Sequence, residues 1–142
     1  MLAARSVLLV EDDALIALAA DEALQESGFL VCGSVATEAA ALRLAAEHSP
    51  DFAVVDLDLG RGGSGLKVGR VLAAKGVRVL YATGHGTAWR QEMEDSGARG
   101  CLAKPYQPEE VPMALEALEA LERLQDGGLP PELPPEMHLF VD

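Results

Sequence analysis

The feature that most constrains the fold of this chain is a regular alternation of short apolar runs and longer segments of helical periodicity. The short runs lie at residues 7–10, 29–35, 52–57 and 77–81, with a weaker one at 100–103. Between them, apolar residues recur at spacings of three and four, as on one face of a helix. Strands alternating with helices favour a parallel sheet with right-handed crossovers and helices on both faces. We therefore predict an α/β fold, a doubly wound (βα)5 arrangement with five parallel strands.

Several helix boundaries can be read from capping residues. Asp13 and Thr37 are expected to cap the first and second helices, because their side-chain oxygens can accept hydrogen bonds from free backbone N–H groups. The fourth helix is predicted over residues 87–96, a segment poor in apolar residues that stops at Gly97.

A change of composition near residue 126 separates a globular part, residues 1–125, from a tail, residues 126–142. The tail holds four of the eight prolines, which favours extended polyproline geometry. It ends in an apolar cluster at residues 137–141. Two interpretations are open: a mobile extension, or a plug that docks on this chain or on a neighbouring copy.

Length and composition exclude several classes of protein. The 142 residues suffice for one domain, the net charge is −12 and aromatic residues make up 4%. Nucleic-acid binding is disfavoured, because it needs a basic surface and stacking aromatic rings. Two cysteines, Cys32 and Cys101, cannot form a zinc site alone and fit a reducing compartment. The apolar run at residues 7–10 is too short for a signal peptide or a membrane span, so we expect a cytoplasmic protein without a membrane partner.

Carboxylates are concentrated just after two of the predicted strands. Glu11 and Asp12 follow the first strand, Asp56 ends the third, and Asp58 comes two residues later. Ligands of open parallel sheets lie beyond the carboxyl ends of the strands, so these groups are expected to converge. Several carboxylates at one site repel each other unless a cation joins them. Mg²⁺ is the expected cation, because it takes hard oxygen ligands and few direct carboxylates.

A hydroxyl and an amine complete the predicted site. Thr83 ends the fourth strand and Lys104 follows the fifth. Both side chains suit a bound phosphoryl group. Asp56, held firmly at the end of a buried strand, can act as a nucleophile toward phosphorus. The residues thus indicate phosphoryl transfer onto Asp56.

Four segments in this order resemble one protein family, the receiver domain of bacterial two-component response regulators, which has a flavodoxin-like fold. The resemblance covers residues 6 to about 125. The segments are Val-Leu-Leu-Val-Glu-Asp-Asp at 7–13, Val-Val-Asp-Leu-Asp-Leu-Gly at 54–60, Tyr-Ala-Thr-Gly at 81–84 and Ala-Lys-Pro-Tyr at 103–106.

The resemblance implies a role for each site residue. Asp56 matches the phosphoaccepting aspartate, Thr83 the switch hydroxyl and Lys104 the lysine that pairs with the phosphoryl group. The implied Mg²⁺ ligands are Glu11, Asp12, Asp56 and the backbone carbonyl of Asp58.

The resemblance also implies partners. The phosphoryl donor would be a phosphohistidine on a sensor histidine kinase or a phosphotransfer protein, and the signal would pass to a downstream protein. We expect a single-domain regulator rather than an enzyme, with at most self-catalysed phosphorylation and dephosphorylation. A homodimer through the fourth helix, fifth strand and fifth helix is conceivable, although acidic faces repel each other.

Two positions depart from the common receiver pattern. Cys101 stands where most receivers carry a rotating aromatic residue, and it is expected to serve simple packing. The hypothesis is that Tyr81 or His85 replaces that aromatic, and that His85 and Asp58 tune the phosphoryl lifetime. The segment 81–84 also resembles an alphaproteobacterial subgroup with a Phe-Ala-Thr-Gly motif, often paired with HWE-type histidine kinases.

Two alternative functions remain open at this stage. One is a receiver-like module that binds its partner constitutively. The other is a phosphatase with a transient aspartyl-phosphate, because Asp56-Leu57-Asp58 resembles the nucleophile motif of haloacid-dehalogenase-type enzymes. In those enzymes, however, the motif ends the first strand, whereas here it ends the third.

Overall fold

The computed structural model of the chain describes residues 5–86, 88–124, 127–128 and 130–140. Strands and helices alternate along these residues, as the sequence predicts. The strands are β1 (Arg5–Val10), β2 (Phe29–Val35), β3 (Phe52–Asp56), β4 (Arg78–Thr83), β5 (Gly100–Ala103) and β6 (Met137–Leu139). The helices are α1 (Ala14–Glu26), α2 (Glu38–His48), α3 (Gly65–Ala74), α4 (Arg90–Asp95) and α5 (Glu110–Arg123), with a short 3-10 turn at Gly60–Gly62.

The sheet has the strand order β2-β1-β3-β4-β5-β6. The pairs from β2 to β5 are all parallel, which confirms the predicted (βα)5 core. The structure adds a sixth strand to the five predicted ones, because β6 pairs antiparallel with β5. Of the two interpretations of the tail, the structure therefore shows docking on this chain. Residues 125, 126 and 141, which belong to the predicted boundary and apolar cluster, lie outside the described residues.

Two apolar layers cover the faces of the sheet, as expected when parallel strands are buried on both sides. One layer packs α1 and α5 against side chains such as Leu9, Phe52 and Leu102. The other packs α2, α3 and the buried Met93 of α4 against the alternate side chains, including Tyr81. No helix in the described part of the chain is both long and apolar enough to cross a bilayer.

Local capping agrees with the sequence in most places. Asp13 caps α1 by accepting hydrogen bonds from two backbone N–H groups, and Thr37 caps α2 in the same way with one. The fourth helix is shorter than predicted: it starts at Arg90, after Trp89, which makes no capping bond with its side chain. Thr87, the predicted start, lies outside the described residues.

Tyr81 ties three elements together inside the second layer. Its ring is fully buried, and its hydroxyl lies 2.8 Å from the Ser96 hydroxyl at the end of α4. Ser96 donates in turn to the carbonyl of Met93, and the Tyr81 hydroxyl also reaches the carbonyl of Leu66 in α3. Gly69 makes this possible, because a Cβ there would overlap the phenol of Tyr81.

This contact generates a prediction about Gly69. Alanine normally stabilises a helix interior relative to glycine by about 1 kcal/mol. Gly69→Ala should instead lower the free energy of unfolding by about 1–3 kcal/mol, because the added methyl overpacks the core. Urea denaturation followed by circular dichroism measures the change.

The matched control is Gly84→Ala, where an added Cβ meets nothing within 4 Å. Combining Gly69→Ala with Tyr81→Phe should cost less than the sum of the two single changes, because the atom nearest to the added methyl, the Tyr81 hydroxyl, is gone while the ring remains. A stabilised Gly69→Ala protein would contradict this description of the core.

Candidate functional site

The predicted site residues lie at the carboxyl ends of four neighbouring strands. Glu11 follows β1, where its backbone N–H donates to the carbonyl of Val35 at 2.9 Å. Asp56 and Thr83 are the last residues of β3 and β4. Lys104 follows β5 and is fixed there by a 2.8 Å backbone bond to the Thr83 carbonyl. The structure thus brings together side chains that are up to 93 residues apart in the sequence.

Asp56 is the buried carboxylate at the centre of this edge, with 4% of its surface exposed. Its Oδ1 accepts a 3.0 Å hydrogen bond from the backbone N–H of Asp58, and its Oδ2 lies 3.0 Å from the Lys104 Nζ. Gly65 begins α3 directly against the Asp56 carbonyl, at a position where a Cβ would overlap the backbone. The carboxylate is therefore held by bonds to both oxygens.

Lys104 bridges two acidic side chains. Its Nζ lies 3.0 Å from Asp56 and 3.3 Å from Glu11. Burial alone would lower the pKa of Lys104, but the hydrogen bond and charge of Asp56, with Glu11, outweigh it and raise the pKa. The amine thus stays cationic at neutral pH, and its positive charge lies where a phosphoryl group on Asp56 would carry negative charge.

Glu11 is the carboxyl group most affected by its surroundings. Burial, followed by its hydrogen-bonding interaction with Asp56, raises its pKa to about 7, although the backbone N–H of Asp13 acts in the opposite direction. A charged Glu11 beside the charged Asp56 is thus costly unless a cation compensates the two carboxylates.

Glu11, Asp12 and Asp56 form the acidic cluster. One oxygen from each lies within 4.8 Å of the others, and Asp12 is exposed to solvent while the other two are buried. Oxygen ligands that are partly accessible to water fit Mg²⁺, which keeps several waters when bound. The residues present therefore fit the predicted ion. The structure records the N–H of Asp58 bound to Asp56, and a metal-binding role for its carbonyl stays a prediction.

Thr83 and His85 are linked on the neighbouring loop. Thr83 is buried, and its hydroxyl oxygen accepts a 3.0 Å bond from the backbone N–H of His85. The His85 side chain is exposed and lines a shallow cavity of about 230 Å³ together with Asp58 and Trp89. This placement keeps open the hypothesis that His85 tunes the site.

Two further residues show what sequence reasoning captured and missed. Cys101 is buried beside Tyr81 in the sheet register, which agrees with the packing interpretation. Tyr106 received no role from the sequence. In the structure it lines a small cavity with Glu11 and Asp56, and burial, with the charge of Glu11, raises its pKa to about 12. Its position directly after the Lys104–Pro105 pair was the available signal.

A match to a family model decides the assignment. The model of the response regulator receiver domain matches residues 7–116, which include every predicted site residue. The chain belongs to this family. The receiver fold explains the parallel core of the sheet, and the clustered Glu11, Asp12 and Asp56 fit the phosphorylation and Mg²⁺ site of such domains.

Known proteins similar to this receiver are bacterial regulators. The transcriptional regulatory protein PdtaR of Mycobacterium tuberculosis is 30% identical over 117 residues, covering 79% of this chain and 55% of PdtaR. The photosynthetic apparatus regulatory protein RegA of Cereibacter sphaeroides is 34% identical over 141 residues, covering 97% of this chain and 71% of RegA. This chain thus spans about half the length of PdtaR.

Solved structures agree in fold. The signal receiver domain of a modulated diguanylate cyclase from Desulfovibrio desulfuricans G20 matches with a TM-score of 0.76 and 26% identity, over 87% of this chain and 99% of that one. A response regulator from Burkholderia pseudomallei matches with a TM-score of 0.71 and 29% identity, over 86% and 75% of the two chains. That structure holds a phosphorylated aspartic acid, a calcium ion and citrate.

The raised pKa of Glu11 predicts a pH-dependent metal affinity. A carboxyl with a pKa of about 7 is protonated below neutral pH, and a protonated carboxyl does not bind a metal ion. The affinity for Mg²⁺ should therefore fall roughly tenfold between pH 8 and pH 6 and level off above pH 8. Calorimetric titration with MgCl₂ at several pH values measures this.

Glu11→Gln is the control, because glutamine does not titrate. This variant should bind Mg²⁺ more weakly at pH 8 and show no change of affinity near pH 7. A wild-type affinity that stays constant from pH 8 to pH 6 would contradict the description of Glu11.

Proposed function

We propose that this receiver accepts a phosphoryl group on Asp56, with Mg²⁺, and signals through phosphorylation-dependent binding to another protein. The observation that supports the proposal most is the pairing of Asp56 with Lys104 at 3.0 Å beside the acidic cluster of Glu11 and Asp12. This arrangement supplies a fixed nucleophile, a cation for the transferred charge and ligands for a metal ion. The phosphorylated aspartic acid in the Burkholderia pseudomallei relative gives a precedent within the family.

The transfer proceeds by attack of an Asp56 carboxylate oxygen on the phosphorus atom of a phosphohistidine. A P–O bond forms, the P–N bond breaks, and its electron pair stays on the imidazole of the donor. Glu11, Asp12 and Asp56, with the Asp58 carbonyl, would hold Mg²⁺, which would supply positive charge for the phosphoryl oxygens. Lys104, which already pairs with Asp56, stabilises the negative charge of the transferred group, and the Thr83 hydroxyl donates a hydrogen bond to the group once it is bound.

The donor is proposed to be a sensor histidine kinase or a phosphotransfer protein in the cytoplasm. A groove of about 500 Å³ next to Lys104 is lined by α1 and by the segment after β5, including Leu15 and Tyr106. Leu15 and Leu18 are 79% and 56% exposed on α1. A donor domain that brings its histidine to Asp56 would cover these leucines, which explains why apolar side chains face solvent there.

The first experiment is intact mass spectrometry after incubation with Mg²⁺ and acetyl phosphate. We expect a persistent adduct of one phosphoryl group in the wild type, none in Asp56→Asn, and none when EDTA removes the metal. Asp51→Asn is the matched control, because Asp51 precedes the same strand at the opposite end of the sheet, and it should form the adduct normally.

The alternatives predict different results. A phosphatase would release inorganic phosphate continuously without a lasting adduct. A constitutive interaction module would form no adduct with acetyl phosphate or with any phosphohistidine donor. Either result would contradict the proposed phosphoacceptor function.

The second prediction concerns the lifetime of the phosphoryl group. The exposed His85 side chain lines the cavity beside Asp58, and we expect it to restrict the approach of water to a phosphoryl group on Asp56. His85→Ala should therefore speed dephosphorylation, roughly threefold, because water is excluded less completely. The decay of the adduct over time measures the rate, and His48→Ala, an exposed histidine on α2, should leave it unchanged. Equal rates in wild type and His85→Ala would contradict the role of His85.

A further inference from the structure

The edge of β5 is occupied by the last described segment of the same chain. Register pairs Cys101 with His138 and Leu102 with Met137 in an antiparallel ladder. Beyond the strand, the N–H of Ala103 donates to the carbonyl of Glu136 at 2.8 Å, and the N–H of Phe140 donates to the carbonyl of Arg99 at 3.0 Å. The segment 136–140 thus satisfies backbone groups that an open strand edge would expose.

Side chains of this segment pack on both sides of the sheet. Met137 is 7% exposed and joins the core beneath α1 and α5, where Leu139 packs as well. Phe140 packs against the opposite layer, and the guanidinium of Arg90 in α4 lies 5.5 Å from the centre of its ring. Arg90 also donates to the carbonyl of Leu139 at 3.2 Å. His138 points to solvent.

Gly100 fits β5 to this neighbour. A Cβ at position 100 would lie 2.7 Å from the carbonyl oxygen of His138, and the next two atoms within reach also belong to residues 138 and 139. A side chain here would clash with the added strand before it met anything else. The glycine therefore allows a strand to approach this edge closely.

We propose that the edge of β5, with Arg90 beside it, is a binding site for an extended protein segment, and that residues 136–140 occupy it in cis. The partner that fits adds antiparallel to β5, as in strand-addition complexes. This partner segment has apolar side chains at two alternate positions, as at Met137 and Leu139, followed by an aromatic ring that packs against the guanidinium of Arg90. The attached segment competes at the high effective concentration of an intramolecular ligand, so a partner binds only when that segment is displaced.

The test uses variants of the 142-residue chain and a labelled peptide of residues 134–140 as the probe. Met137→Asp places a charge in the buried position and releases the strand, leaving β5 intact. His138→Asp is the matched control, with the same new charge at the exposed neighbouring position. Hydrogen exchange of the 136–140 amides should rise in Met137→Asp and stay unchanged in His138→Asp.

Peptide binding is then measured by fluorescence anisotropy. We expect Met137→Asp to bind the peptide at least tenfold more tightly than the wild type or His138→Asp. Adding Gly100→Ala to Met137→Asp should abolish that binding, because the new methyl blocks any strand in this position.

Three results would overturn the proposal: unchanged protection of the 136–140 amides in Met137→Asp, no gain in peptide binding, or peptide binding that survives Gly100→Ala. A fourth is self-association of Met137→Asp that Gly100→Ala abolishes, because a second copy would then be the occupant. Sedimentation velocity detects the last. The test needs neither Mg²⁺ nor a phosphodonor, so its failure would leave the proposed phosphoacceptor function untouched.

Discussion

The ammonium group of Lys104 lies between the buried carboxylates of Asp56 and Glu11, and the rest of the site depends on this interaction. A buried carboxylate without a partner is costly, so the lysine makes two of them tolerable at one place. It does not balance the site, because Asp12 adds a third acidic group. The remaining negative charge is what a divalent cation would neutralise, so in the proposed function a metal ion and the lysine would act together.

Strands β4 and β5 connect this charge cluster to the surface on which β6 is bound. Lys104 follows β5 directly, and β6 pairs with the edge of β5 that faces away from β4. Thr83 ends β4, and the segment after it leads to α4, whose Arg90 holds β6. The chain segments next to Thr83 and Lys104 therefore both border the surface on which β6 is bound. The proposed phosphorylation site and the occupied edge of β5 are thus connected through these elements.

Much of the site could be predicted from the sequence, because its side chains lie at or directly after the carboxyl ends of predicted strands. Asp56 at the end of a buried strand and Lys104 directly after the fifth strand are local patterns, and parallel topology brings the two side chains together. Other features depend on tertiary contacts that no local pattern carries. The strand β6 has only three residues and follows prolines, so local propensity does not predict its pairing, which depends on the close approach of His138 to Gly100. The close packing of Gly69 against the phenol of Tyr81 is likewise invisible in a list of apolar positions.

A crystal structure of the chain with Mg²⁺ and beryllofluoride, which mimics a phosphoryl group on a carboxylate, would show whether Asp56 is the phosphoacceptor. We expect beryllium bound to an Asp56 oxygen, fluorines within hydrogen-bond distance of the Lys104 Nζ and the Thr83 hydroxyl, and the metal ion between Asp12 and Asp56. A structure in which Lys104 still pairs only with Asp56 and Glu11, with no beryllofluoride on Asp56, would contradict this role of Asp56.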